Sequence, residues 1–158
     1  MARKRIRVYA DTSVFGGVFD EEFAKASRIF FDQVRAGDFD LVLSPVVEGE
    51  IAEAPEKIRS FYESVAAIAE TLPLTEEAIH LRDAYLEAGI VGPQWAADAL
   101  HVAHATTCGC RMIVSWNFEH IVHYEKVALY NAINIREGCS PIAIHSPQEV
   151  IKYESQSL

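Results

Sequence analysis

The residues IRVYADTSVFGG, positions 6–17, decide how this chain is built. A short β-rich run, Ile6–Ala10, ends in Asp11, and Thr12 and Ser13 follow at once. The run reads as a strand. An isolated aspartate at such a place is most simply a turn or capping residue. A strand end is also a stiff mount for a metal ligand or a general base. The rest of the chain decides between these readings by showing whether other strands deliver similar groups.

Working outward, Phe23, Ala26, Phe30 and Val34 recur at helical spacing between about Glu21 and Ala36, and Gly37 is a natural stop. FDLVLS (39–44) reads as the second strand. Ser44 followed by Pro45 has the form of an N-cap and first helical position, opening a helix that runs to Pro55. Helices are expected over 56–70 and 75–88, the latter capped by Thr75 with Glu76 and Glu77 suited to the helix dipole. QWAADALHVAHATT (94–107) is an almost wholly apolar helix, RMIVSW (111–116) a third strand, FEHIVHYEKVALYNAIN (118–134) a further helix, and PIAIH (141–145) a fourth strand. A last turn is expected over 147–151. Strands alternating with helices imply α/β layering on a parallel sheet. The expected fold is a three-layer α/β/α sandwich with four or five central strands, in one domain over 1–151 with a frayed tail over 152–158.

The 158 residues suffice for a core without covalent staples. No apolar run reaches the roughly 18 residues of a membrane helix, and no signal-peptide apolar stretch follows the basic start MARKR. Three cysteines, an odd number, fit reduced thiols in a cytoplasmic protein better than a disulfide framework or a four-ligand zinc site. The net charge of −9 argues against non-specific nucleic-acid binding, although carboxylates that hold cations make a protein look more acidic than it is at work.

Ligands bind beyond the carboxyl ends of strands in open α/β sheets. The exits here offer Asp11, Thr12 and Ser13; then Ser44 and the helix with Glu48 and Glu50; then Ser115, Trp116 and Asn117; then His145 and Ser146. On the helix after Ser44, Glu50 lies nearer than Glu48 to the apolar face of Val47, Ile51 and Ala54. Asp98 is the one carboxylate in an otherwise apolar helix, so it must either bond backbone donors at the helix start or meet a cation. His101 and His104, like His120 and His123, are three apart and lack the HExxH pattern of a zinc site. His101 shares the side of Asp98 and suits a hydrogen-bonding role.

Taken together, VYADTSVFGG, LVLSPVVEGEI and AADALHVAHATTCGCRMIVSWNFEHI resemble a PIN domain, more narrowly the VapC-like toxin ribonucleases, over nearly the whole chain. The family's first aspartate matches Asp11, its helix glutamate six residues after a hydroxyl cap matches Glu50 after Ser44, and its central-helix aspartate matches Asp98. Its fourth acid is replaced by Asn117. The resemblance implies a PIN-like sheet and a Mg²⁺- or Mn²⁺-dependent endoribonuclease, the toxin of a type II toxin–antitoxin pair. It implies a cation held mainly by Asp11 and Asp98 with help from Glu50, and auxiliary roles for Asn117, Ser13 and Ser115 in orienting water or phosphate. RNA would be the substrate. A small antitoxin or a second copy could cover Phe15, Phe19 or Phe23. The alternative is a weakened PIN-like scaffold that binds RNA or protein without cutting. A phosphatase with an aspartyl nucleophile would carry a second aspartate where Ser13 stands.

Overall fold

The computed structural model describes residues 5–153; Arg3 and Lys4 of the basic start and the tail from 154 lie outside them. Among the described residues there are five strands: β1 (Ile6–Ala10), β2 (Phe39–Leu43), β3 (Glu70–Thr71), β4 (Met112–Val114) and β5 (Ala143–His145). Eight helices join and flank them: α1 (Thr12–Gly17), α2 (Ala24–Arg35), α3 (Pro45–Ile51), α4 (Glu56–Ala66), α5 (Glu76–Glu87), α6 (Ala96–Thr107), α7 (Tyr124–Arg136) and α8 (Pro147–Val150). A single 3₁₀ turn, Pro93–Trp95, leads into α6. The sheet order is β3-β2-β1-β4-β5, and every neighbouring pair is parallel.

That order has one topological consequence for function. The chain leaves β1 towards β2 and β3 on one side, then returns to place β4 and β5 on the other. The order reverses between β1 and β4, and at such a reversal the connecting segments part and leave a crevice at the carboxyl ends. Asp11–Ser13 and Ser115–Asn117 are the two segments that leave the sheet there, side by side and tied by hydrogen bonds from Ser115 to Asp11 and from Trp116 to Ser13. The pairing of Ala10 with Val114 brings their origins side by side.

The central strands are buried because helices cover them. Val8, Tyr9 and Ala10 of β1, Leu41 to Leu43 of β2, and Ile113 and Val114 of β4 are all buried, the continuous apolar run expected of parallel strands. The helices pack in two groups, α1, α2, α3, α4 and α8 in one, α5, α6 and α7 in the other. Phe15, Phe30, Phe31, Phe61 and Tyr62 form an aromatic cluster under the first group. Phe15, read as a docking candidate, is fully buried, and Phe19 and Phe23 pack partly against the core.

Several boundaries differ from the sequence reading. Glu70–Thr71 is a two-residue strand beside β2 rather than the end of a helix, and α4 stops at Ala66. Both residues are exposed, so no apolar period marks them. Thr12–Gly17 coils directly into a helix capped by Asp11. Gly17 matters in this helix: a Cβ there would lie 2.6 Å from Ser27 Oγ and 2.7 Å from Trp116 Nε1, two groups bonded to each other at 2.8 Å. Residues 118–123 form turns, and α7 begins only at Tyr124. Lys152, expected to fray, exchanges two hydrogen bonds with the Gln33 side chain.

Candidate functional site

At the exit of β1 the carboxylate of Asp11 is turned inward and held from both sides. Its Oδ1 accepts the Ser13 backbone N–H at 3.1 Å, which caps α1, and the Ser13 hydroxyl at 2.5 Å. Its Oδ2 accepts the Ser115 hydroxyl at 2.7 Å from the exit of β4. The two serines in turn accept the N–H groups of Trp116 and Asn117 at 2.9 Å. Both serine protons point at Asp11, so their role is to fix that carboxylate. Three of its roughly four acceptor positions are filled, and Oδ2 keeps one.

Glu50 belongs to the last turn of α3, which Ser44 caps through the Val47 N–H. Its Oε1 accepts the Thr12 hydroxyl at 2.9 Å and faces His101 Nε2 at 2.6 Å. Behind His101 lies a buried chain: Nδ1 meets Tyr9 Oη at 2.7 Å, and Tyr9 Oη meets Ser44 Oγ at 2.7 Å. Glu50, His101, Tyr9 and Ser44 thus form one continuous hydrogen-bonded chain, in which both ring nitrogens of His101 have a partner. Glu50 Oε2 carries no partner among the described hydrogen bonds, and the side chain is 41% exposed. Glu48 stands apart from this network and acts on Tyr62.

Asp98 lies in the first turn of α6, but the capping explanation fails: the N-cap residue is Trp95 and no side chain caps the helix. Its neighbours are instead His101, His120, Asn117 and Glu50. Asn117 takes the position of the fourth acid. Its Oδ1 accepts the His120 N–H at 2.9 Å, which leaves its amide N–H groups for Asp98. His120 is stacked on the half-exposed ring of Trp95 with centroids 4.3 Å apart, and the Tyr130 hydroxyl anchors its carbonyl at 2.8 Å.

Electrostatics join the three acids. Burial raises the pKa of Asp11, and the charge of Asp98 raises it further, against lowering by His101 and the two serines. Burial likewise raises Asp98, with a contribution from Glu50, against His101, His120 and Asn117. Glu50 ends below its usual value: its burial is outweighed by the hydrogen bond and charge of His101 and the bond from Thr12. Among the described residues no lysine or arginine pairs with any of the three. No three His, Cys, Asp or Glu side chains among them stand close enough to form a ready metal cage. The donors that remain open, Asp11 Oδ2, Glu50 Oε2 and the Asp98 carboxylate, are hard oxygens. They fit a cation that keeps several waters and takes one or two carboxylates, as Mg²⁺ does, and do not fit a closed structural site.

No family model matches the chain, and no curated protein matches it. Solved structures do. One neighbour is a chain of the VapBC2 complex from Rickettsia felis bound to a DNA fragment from its promoter: TM-score 0.58, 11% identity, covering 89% of this chain and 98% of that one. Another is a chain of FitAcB from Neisseria gonorrhoeae, with TM-score 0.59 and 14% identity over 90% of this chain and 99% of that one. A third comes from FitAB bound to the IR36 DNA fragment, TM-score 0.56, 14% identity, over 94% and 99%. All three are chains of toxin–antitoxin complexes. At this identity the likeness carries the fold alone: an α/β chain with a five-stranded parallel sheet.

The family assignment is corrected on this point. With no family model matching, membership of the PIN family and of its VapC-like toxins does not stand, nor does the PIN-like label on the fold. The function that came with it, an RNA-cleaving toxin, is withdrawn too: the neighbours' names describe complexes, two of them on DNA, and none names a nuclease. The reason is physical. A capped helix after a strand and an acid at a strand exit are what a parallel sheet with a crevice produces in general, so short motifs of this kind report architecture before ancestry. Sequence reasoning missed Tyr9 as a member of the site, offered Thr12 only as one of the polar groups at the first strand's exit, and saw only part of the role of His101. Tyr9 reads as an ordinary strand residue, and nothing local marks its hydroxyl as a partner of position 101.

Proposed function

We propose that the crevice between β1 and β4 is a divalent-cation site whose activity is phosphodiester hydrolysis, with Mg²⁺ or Mn²⁺ as the cation. One observation carries the reading: Asp11, Glu50 and Asp98 come from separate segments with no lysine or arginine among the described residues to pair them, and burial, against the charge of His101, pushes both aspartates above their usual range. Burying carboxylates whose charge is only partly offset is costly, and a cation would reduce the cost.

Asp11 and Asp98 would hold the cation, with Glu50 acting directly or through water. Such an ion neutralises a phosphate and lowers the pKa of bound water. The chain's own groups do the positioning. Ser13 and Ser115 lock the Asp11 carboxylate, Asn117 directs Asp98, and His101 with Thr12 aims Glu50 and keeps it ionised. Hydrolysis of bis(p-nitrophenyl) phosphate and of fluorogenic oligonucleotides of both sugar types should appear with Mn²⁺, stop with EDTA, and be lost in Asp11→Asn and Asp98→Asn. Equal metal-dependent rates in wild type and both variants would refute the reading.

The neighbours support a second reading, that this chain works in a two-protein complex on DNA. Its charge of −9 means that contact with DNA would run through the partner. A gel shift of duplex DNA by this chain alone at physiological salt would refute that arrangement.

A further inference from the structure

At the opposite end of α6 from Asp98, residues Cys108-Gly109-Cys110 form a second cluster that the proposed hydrolytic site does not use. The helix ends here in a tight turn. The Cys110 N–H bonds to Ala105 O at 3.1 Å and the Gly109 N–H to Thr106 O at 3.3 Å, with Gly109 at φ 75°. This is the double bond pattern of a left-handed helix stop, open to glycine because it lacks a Cβ. The turn folds the two flanking cysteines towards each other, and their sulfurs stand 3.5 Å apart. All three cysteines of the chain are free thiols.

The surroundings of the pair are asymmetric. Cys110 is 7% exposed, whereas Cys108 is part open to solvent. Arg7, from β1, donates from Nη1 to the Cys108 carbonyl at 2.9 Å, so its guanidinium sits over the turn. We propose that Cys108 and Cys110 are a thiol–disulfide exchange site, in which Cys108 attacks a low-molecular-weight disulfide and Cys110 resolves the adduct.

The steps balance. The Cys108 thiolate attacks one sulfur of the small disulfide, forming a mixed disulfide and breaking the original S–S bond; one small thiolate leaves and takes up a proton. Cys110 then loses its proton to solvent and attacks the Cys108 sulfur, forming the Cys108–Cys110 bond and expelling the second small thiol. Two protein thiols are oxidised and one small disulfide is reduced to two thiols. The protein sulfurs must approach from 3.5 Å to about 2.05 Å, a side-chain rotation within a turn already closed. The charge pattern suits the order of attack. The hydrogen bond from Cys110 lowers the pKa of Cys108, against burial, and Arg7 lowers it further; Cys110 and Cys139 are both raised. A thiolate is the attacking species.

Fully reduced protein incubated with glutathione disulfide, acid-quenched, unfolded and alkylated is the test. Two of the three alkylatable thiols should disappear, with Cys139 still alkylated and the internal link mapped to the Cys108–Cys110 peptide. Cys110→Ser should accumulate a glutathione adduct on Cys108, and Cys108→Ser should form an adduct at position 110 at least tenfold more slowly. Retention of all three thiols in wild type, oxidation centred on Cys139, or adduct formation in Cys108→Ser as fast as in Cys110→Ser would overturn the proposal.

Discussion

Replacing Asp98 by Asn separates the two energetic roles of the acidic crevice. In the absence of a cation, Asp98 is a half-buried carboxylate that raises Asp11 and is itself raised by Glu50. A carboxylate raised above its unfolded value destabilises the fold once ionised. Stability is therefore highest below the unfolded value and falls as pH rises through the folded one. Asn removes that cost but forgoes the favourable first-turn charge, about 0.3–1 kcal/mol, so the cation-free variant should melt within a few degrees of wild type. With a cation at ten times its Kd, wild type should gain about 1.4 kcal/mol by mass action. For a chain of this size that amounts to about 3–6 °C in Tm. If losing one of two principal ligands weakens binding about a hundredfold, the same cation concentration gives Asp98→Asn less than about 0.1 kcal/mol, a shift below half a degree. Differential scanning fluorimetry with MnCl₂ against EDTA measures both. The wild-type shift should also shrink as pH falls through the raised carboxylates, because protons then compete with the cation. Equal Mn²⁺ shifts in wild type and variant, or a shift that grows in acid, would refute the reasoning.

Other perturbations follow from the same geometry. Asn117→Asp adds a third negative charge beside Asp98 and removes the amide that faces it; the cation-free protein should lose Tm while the Mn²⁺ shift grows, read in the same assay. His101→Ala leaves Tyr9 with Ser44 alone, frees Glu50 from its closest partner and opens a cavity; urea unfolding should show a loss of about 2–3 kcal/mol. Gly17→Ala forces a methyl into the 2.6–2.9 Å space occupied by Ser27 and Trp116; a loss of about 1–3 kcal/mol is expected from overpacking, with a change in tryptophan emission as the Trp116–Ser27 bond breaks.

Much of the secondary structure was legible because its signals are local. The strand over 6–10, the Ser44 cap with Pro45, and the Thr75 cap with its early acids are all observed where the residue types put them. The short strand Glu70–Thr71 was not, since two exposed residues carry no period. The choice of Glu50 over Glu48 was readable as an angle on a helical wheel, and it is Glu50 that meets His101. Of the two roles open to Asp98, it does stand in the first turn of α6 as periodicity placed it, but no side chain caps that helix, and its hydrogen-bond partner is Asn117 from a distant segment.

The sequence by itself determined which residues could form strands and helices and which carboxylates would stand at strand exits, because periodicity and capping act over a few neighbouring residues. Only the tertiary structure decided that Tyr9, Ser44 and His101 join in one hydrogen-bonded chain and that Ser115 locks Asp11 across 104 positions of sequence. Those pairings depend on β2 and β4 lying on either side of β1, and strand order is set by long-range burial that leaves no mark within any single segment.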